Sequence, residues 1–281
     1  MPRYSALAVA TSYWKPNENY LCKITGALEG KLLDGDFVVV SEKAIAIATG
    51  CIVNEALIVP SRNAKFIAKF WMRVVWGYGL GVLCGFGMRL LRRLREYPIE
   101  SGSRHKQVAL EYTGLLDALM FGSEGGIDGS NLAYSYVSLP LYNADIFAQK
   151  IHRHIQEELG KDVCVILADT DKTFRFCSFY FTPRPNPMHG IHSLGGVIGY
   201  VLGRVLDLKR GSTPLAVAGG FLLAREALTI TNIADRVRGP GSGATVWDMA
   251  SRFHVEVDGV SWEMLDSISH KPLVVVRKKS H

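Results

Sequence analysis

The sequence predicts a chain of mixed α/β character, and three observations carry that expectation. Phe147, Ile151 and Ile155 recur every four residues, opened by Asn143 or Asp145 as a cap and closed by Gly160, the pattern of a helix with one buried face. Residues 163–168 (VCVILA) follow as an uninterrupted apolar run, as expected of a strand covered on both faces. The charged stretch Asp169–Lys172 starts at that strand's carboxyl end, where open α/β sheets collect their ligand sites.

The other elements follow in chain order. Residues 36–40 (DFVVV) and 44–53 (AIAIATGCIV) read as strands through their β-branched content and a glycine break. Pro60-Ser61 opens a helix that runs into Val74–Met88, an uncharged stretch of 15 residues with five glycines. That stretch is too short to span a bilayer. It reads as a Gly-rich helix or loop packed closely on another element, with a surface-bound amphipathic segment as the alternative. Residues 97–106 (YPIESGSRHK) read as a linker or crossover. After the helix and strand described above, residues 183–193 form a loop and 194–206 an apolar, Gly-rich segment. Residues 214–218 (PLAVA) read as a strand and 221–235 as a helix. The Gly-rich run 238–243 precedes a helix over ATVWDMASRF, and PLVVV near the end is a strand. The expected domains are an N-terminal α/β part over 1–100, a core carrying the site over 101–236, and a C-terminal extension over 237–281 packed on that core.

The bulk properties narrow the function. The chain has 281 residues, 48% of them hydrophobic, with a net charge of +6. That mild excess suits nucleotides, phosphates and acidic substrates, and no dense Lys/Arg block with interleaved aromatics points to nucleic acid. The five cysteines are odd in number and none has CxxC spacing, which argues against a disulfide framework or a structural zinc and for a reducing, cytoplasmic setting. The first residues lack the three-part pattern of a signal peptide.

Two acidic motifs carry the candidate chemistry. Asp169-Thr170-Asp171-Lys172-Thr173 offers a carboxylate and a hydroxyl at a strand end, the oxygen donors that Mg²⁺ or Mn²⁺ take alongside nucleotide phosphates. A plain polar turn explains it equally well. In Gly125–Asn131 (GGIDGSN), the glycines allow close backbone approach, Asp128 offers a second metal oxygen and Asn131 a contact to nucleotide or phosphate. Taken alone this is more simply a turn. Arg236–Gly243 (RVRGPGSG) has the makings of an anion cradle or of a flexible surface loop, and it is not a P-loop. His189 and His192 lack a third ligand nearby.

The order GGIDGSN, then SLPL (138–141), then a helix, then VCVILADT (163–170), resembles the coenzyme F-420-0:γ-glutamyl ligases. An upstream stretch, LLDGDFVVVSEKAIAIATGCIV (32–53), resembles that family's GD-VVV-x-K segment. The resemblance implies an α+β, two-domain, mixed-sheet protomer in an intertwined homodimer. It implies a ligase that uses GTP (or ATP) with Mg²⁺ or Mn²⁺ to join L-glutamate to a small-molecule carboxylate acceptor, through an acyl phosphate. It places metal on Asp128, Asp169 and Thr170, with the two aspartates as the catalytic acids. Asn131 and Lys43 match nucleotide or phosphate contacts. The family's Ser-Lys falls on Ala46-Ile47, and its Gly-Glu or Gly-Gln falls on Gly203-Arg204, where the arginine suits a phosphate or carboxylate. Lys172 and Arg175 are candidates for an anionic substrate. Two rival functions remain open: a metal-dependent phosphatase or phosphotransferase, and a non-catalytic relative that binds a nucleotide or the coenzyme.

Overall fold

The computed structural model describes residues 3–243 and 245–279. Seven strands form one mixed sheet: β1 (Tyr4–Thr11), β2 (Phe37–Ser41), β5 (Cys164–Phe176), β6 (Phe179–Thr182), β7 (His192–Ser193), β8 (Lys209–Ala218) and β9 (His270–Lys278). The order is β1-β9-β2-β5-β6-β7, with β8 pairing to β5. β2 and β5 run parallel, Phe37 opposite Cys164 and Ser41 opposite Ala168, so the carboxyl ends of both strands open on the same side. β3 (Ile52–Asn54) and β4 (Tyr136–Ser138) form a separate antiparallel pair.

Both faces of the sheet are covered, which is why the runs 37–40, 164–168 and 273–276 at its centre are apolar. One face packs on the helices Tyr20–Leu28, Glu42–Ala48 and Ala144–Leu159, through Val38, Val40, Val165 and Leu167. The other packs on the helix Ala224–Arg238 through Val39, Ile166, Val274 and Val276, against Ile230 and Ala234. A further core gathers the helical segments between Arg62 and Ala118, with Ile127, Val137 and Val197. The helix Ala144–Leu159 ends as the sequence implies, with Gly160 in the left-handed conformation.

Three local expectations are corrected. Residues 44–48 belong to the helix Glu42–Ala48, not to a strand. The alternating Ala/Ile run is buried on every side, so alternation marks no solvent face, and alanine favours helix. Residues 97–106 are no linker: the helix Ile99–Tyr112 covers most of them. Gly102 sits in that helix because the Tyr97 ring packs against it, and a Cβ there would lie 2.3 Å from Tyr97 Cε1. Asp169–Thr173 do not follow the strand but lie within it, since β5 runs on to Phe176. The register shifts between Asp169 (opposite Thr213) and Lys172 (opposite Ser212), so Thr170 and Asp171 form a bulge. The PLVVV strand expected near the end is part of β9, which lies between β1 and β2.

Val74–Met88 falls largely in a continuous helical rod made of Arg62–Phe66, the wide-turned Ile67–Leu80 and Gly81–Leu83. Its glycines permit close packing, as at Gly77, where a Cβ would lie 2.9 Å from the Arg95 side chain. Among the described residues, no helix is long and apolar enough to cross a membrane.

Candidate active site

A cavity of about 550 Å³ opens at the carboxyl end of β2 and beside the bulge in β5. Its acidic side is built from three segments. Lys43 comes from the first turn of the helix after β2, Asp128, Ser130 and Asn131 from the GGIDGSN loop, and Asp169, Thr170 and Lys172 from the bulge in β5. The opposite wall comes from the end of the chain: Asp235, Arg236 and Arg238, the glycine loop that follows them, and Ile268–Pro272 leading into β9.

The charges on the acidic side are compensated from within. Lys43 Nζ donates to Asp128 Oδ2, to Ser130 Oγ at 3.0 Å and to the Ser130 carbonyl at 3.2 Å. The Ser130 amide closes the loop on Asp128 Oδ1 at 2.7 Å. Behind them lies Arg184, 2% exposed and unremarked in the sequence, where it sits among prolines. It donates to Asp169 Oδ2 through Nη1 and to Glu42 Oε1 through Nη2 at 2.5 Å, and Asp171 lies 3.8 Å from Nη1. The GGIDGSN loop is shaped around this guanidinium, because a Cβ on Gly126 would lie 2.1 Å from Arg184 Nη1.

The protonation of the cluster follows from this geometry. Burial pushes Glu42 up to about 7, against the pull of Arg184. Burial acts on Asp169 too, but Arg184 and then Lys43 outweigh it and hold this carboxyl below its ordinary value. Burial and the neighbouring Asp169 charge raise Asp171 well above the carboxylate range. Its Oδ2 is buried without a hydrogen-bond partner among the described residues. Asp169 therefore gives up its proton more readily than its neighbour Asp171.

The remaining candidates divide. Thr170 is exposed at the rim, and Lys172 lies 3.2 Å from Asp235. Asn131 lines the cavity, but its Oδ1 accepts from the Ser242 amide at 2.7 Å and the Ser242 hydroxyl at 2.5 Å. It latches the glycine loop to the acidic side. Two candidates are not brought to this cavity. Arg204 lies outside the cavity and donates to the Cys84 carbonyl through Nε at 3.1 Å and Nη2 at 2.5 Å. Arg175 also lies outside, its Nε bonded to the Cys177 carbonyl at 3.0 Å across the β5–β6 turn.

Asp128, Asp169 and Thr170 present oxygen to one cavity, the donor chemistry of Mg²⁺ and Mn²⁺. Among the described residues, no group of three or more His, Cys, Asp or Glu side chains is arranged to hold a metal. These residues thus fit a cation that takes its remaining ligands from phosphate and water, the usual habit of Mg²⁺ beside a nucleotide.

The profile of the family described as "F420-0:Gamma-glutamyl ligase" matches residues 9–218. The chain belongs to that family. It is 35% identical to the "Uncharacterized protein MJ1361" of Methanocaldococcus jannaschii, over 98% of this chain and 96% of that protein. It is 32% identical to the "Coenzyme F420:L-glutamate ligase" of Archaeoglobus fulgidus, over 49% of each chain. The acidic side of the cavity lies within the family match, whereas the wall from Asp235 to Pro272 lies beyond it.

Proposed function

We propose that the protein is a nucleotide- and divalent-metal-dependent ligase that joins L-glutamate, or a similar amino acid, to a carboxylate acceptor of the coenzyme F-420-0 kind. The observation that carries this reading is the convergence of Asp128 and the Asp169–Thr170 pair on one cavity, in a chain of the γ-glutamyl ligase family. The reaction transfers the terminal phosphoryl group of the nucleoside triphosphate to the acceptor carboxylate, giving an acyl phosphate and releasing the nucleoside diphosphate. The glutamate nitrogen then attacks the carbonyl carbon, phosphate leaves as the C–N bond forms, and the amine gives up a proton. The bound Mg²⁺ or Mn²⁺ would neutralise phosphate charge, held by Asp128, Asp169 and Thr170.

The chain's own groups are suited to the surrounding tasks. Lys43 fixes Asp128 and brings positive charge to the cavity. Arg184 holds the Asp169 carboxyl below its ordinary value and fixes its orientation. Lys172 is placed to meet an anionic substrate, in exchange for its contact with Asp235. A homodimer forms part of this proposal and is tested by sedimentation.

A second reading has one observation in its favour. Where the family carries the lysine of its Ser-Lys pair, this chain has Ile47, and Ile47 lines the cavity. An apolar wall there favours binding of a nucleotide or coenzyme without turnover. Incubation with nucleotide, Mn²⁺, L-glutamate and coenzyme F-420-0 separates the possibilities by product. A ligase consumes glutamate, a phosphatase releases phosphate without it, and a binding protein does neither. Thermal stability adds an independent check. Nucleotide with Mn²⁺ at about 100 times the dissociation constant stabilises by roughly 2.7 kcal/mol. This gain should vanish in Asp169→Ala. No shift with either GTP or ATP would sink the nucleotide-dependent reading.

A further inference from the structure

We propose that Arg238 anchors an oxyanion subsite in the wall of the cavity built by the end of the chain, and that it takes a carboxylate or phosphoryl group of the substrate on its Nε–Nη2 edge. Arg238 is the last residue of the helix Ala224–Arg238 and lines the cavity. Its Nε and Nη2 are both buried, and neither has a hydrogen-bond partner among the described residues. These two atoms form the side-on fork of the guanidinium, two parallel donors spaced to match the two oxygens of a carboxylate or phosphate. Leaving such donors desolvated and unpaired is costly, so their presence at a cavity wall marks a position completed by a ligand.

The nearby carboxylates do not fill this role. Asp235 and Asp169 lie close enough to act on the Arg238 charge. Asp235, however, is 3.2 Å from Lys172, and Asp169 is bonded to Arg184 and to the Thr170 amide. The loop after Arg238 is pinned as a binding wall requires. Gly239 and Gly241 have φ of 74° and 65°. Asn131 holds Ser242, Arg252 Nη1 donates to the Gly241 carbonyl at 2.9 Å, and a Cβ on Gly241 would meet Asn131 Oδ1 at 2.6 Å. The loop is therefore fixed before a ligand arrives, which lowers the entropy cost of binding.

The subsite lies outside residues 9–218, so it is distinct from the acidic corner within the family match. Only the identity of its ligand as a ligase substrate rests on the proposed function. Calorimetric titration of the full chain with L-glutamate, and separately with inorganic phosphate, tests the subsite in wild type, Arg238→Met and Arg238→Lys. Arg238→Met should lose at least tenfold in affinity for one of the two probes. Arg238→Lys, a point charge without the fork, should fall between. Loss confined to L-glutamate assigns the subsite to a carboxylate, and loss confined to phosphate assigns it to a phosphoryl group. The melting temperature of ligand-free Arg238→Met should equal or exceed that of wild type, since an unpaired buried cation is removed. Unchanged affinities, a wild type that binds neither probe, or a drop of several degrees in the ligand-free variant would overturn the subsite. The ligase reading fails by a separate route: absence of glutamate consumption, whatever Arg238→Met does to phosphate binding.

Discussion

The two sides of the cavity hold their charges in opposite ways. On the acidic side, Lys43 satisfies Asp128, and Arg184 satisfies Asp169 and Glu42. On the opposite wall, Arg238 keeps two buried nitrogens without partners among the described residues. A network closed within the protein serves stability and orientation first, and a ligand must displace or extend it. A guanidinium left open contributes nothing to the free protein and is available to a ligand. The difference therefore predicts which charges the fold depends on and which it merely carries.

The largest effect should come from Arg184→Met. It leaves Asp169, Asp171 and Glu42 buried around an apolar side chain, and breaking a buried ion pair from one side costs about 3–5 kcal/mol. Urea unfolding of the ligand-free protein measures it. If Arg184→Met costs no more than Arg238→Met, the contrast between the two sides is wrong.

A second closed network, away from the cavity, gives a pH-dependent comparison. His105 lies between Glu55 at 2.5 Å and Glu124 at 2.9 Å, with Lys106 also paired to Glu124. Burial lowers the His105 pKa, but the two carboxylates outweigh burial and raise it to about 10 from an ordinary 6.5. A group whose folded pKa is raised contributes fully below its unfolded value and loses that contribution as pH rises through the folded value. Stability from His105 should thus decline between pH 6.5 and 10, by at most about 1.4 kcal/mol per pH unit. Melting curves of wild type and His105→Gln across that range should converge as pH rises. Parallel curves would show that His105 is not charged in the fold.

Asn131→Ala probes the latch between the two sides. It removes the acceptor of the Ser242 amide and hydroxyl, and two such hydrogen bonds contribute about 1–3 kcal/mol together. If Asn131 acts chiefly as a latch, this loss appears in the ligand-free protein. If it acts chiefly as a nucleotide contact, unfolding is unchanged and only nucleotide affinity falls.

What the sequence made legible follows the same division. Asp128, Asp169, Thr170, Lys43 and Lys172 could be picked out because each sits in a short motif, and the structure brings all five to one cavity. The helix Ala144–Leu159 was legible from its period and its closing glycine. Arg184 was not, because its meaning lies in partners such as Glu42, 142 positions away, and its own surroundings read as a proline-rich loop. Gly102 looked like punctuation, yet it serves packing against Tyr97. β1 was not legible as a strand in YSALAVAT, and its place becomes evident only because β9 returns from the far end of the chain to pair with it. Arg204 matched a family position by alignment, but the helix Gly196–Val205 directs it to the Cys84 carbonyl, and no local pattern reveals that choice.

The smallest effect on stability, and the sharpest on the comparison, belongs to Lys172→Met. The Lys172–Asp235 contact is 3.2 Å long and partly exposed, so its loss should cost no more than about 1 kcal/mol. Its consequence lies one turn along the helix. Asp235 and Arg238 are three residues apart, the spacing at which helical side chains meet. Freed of Lys172, Asp235 can turn to Arg238 and satisfy it from within, converting the open side of the cavity into a closed one. Lys172→Met should then weaken phosphate or glutamate binding although Lys172 itself need not touch the ligand, and the further change Asp235→Asn should restore part of the affinity. If the double variant binds no better than Lys172→Met, the lysine contributes through its own charge, and the division between closed and open sides does not extend to it.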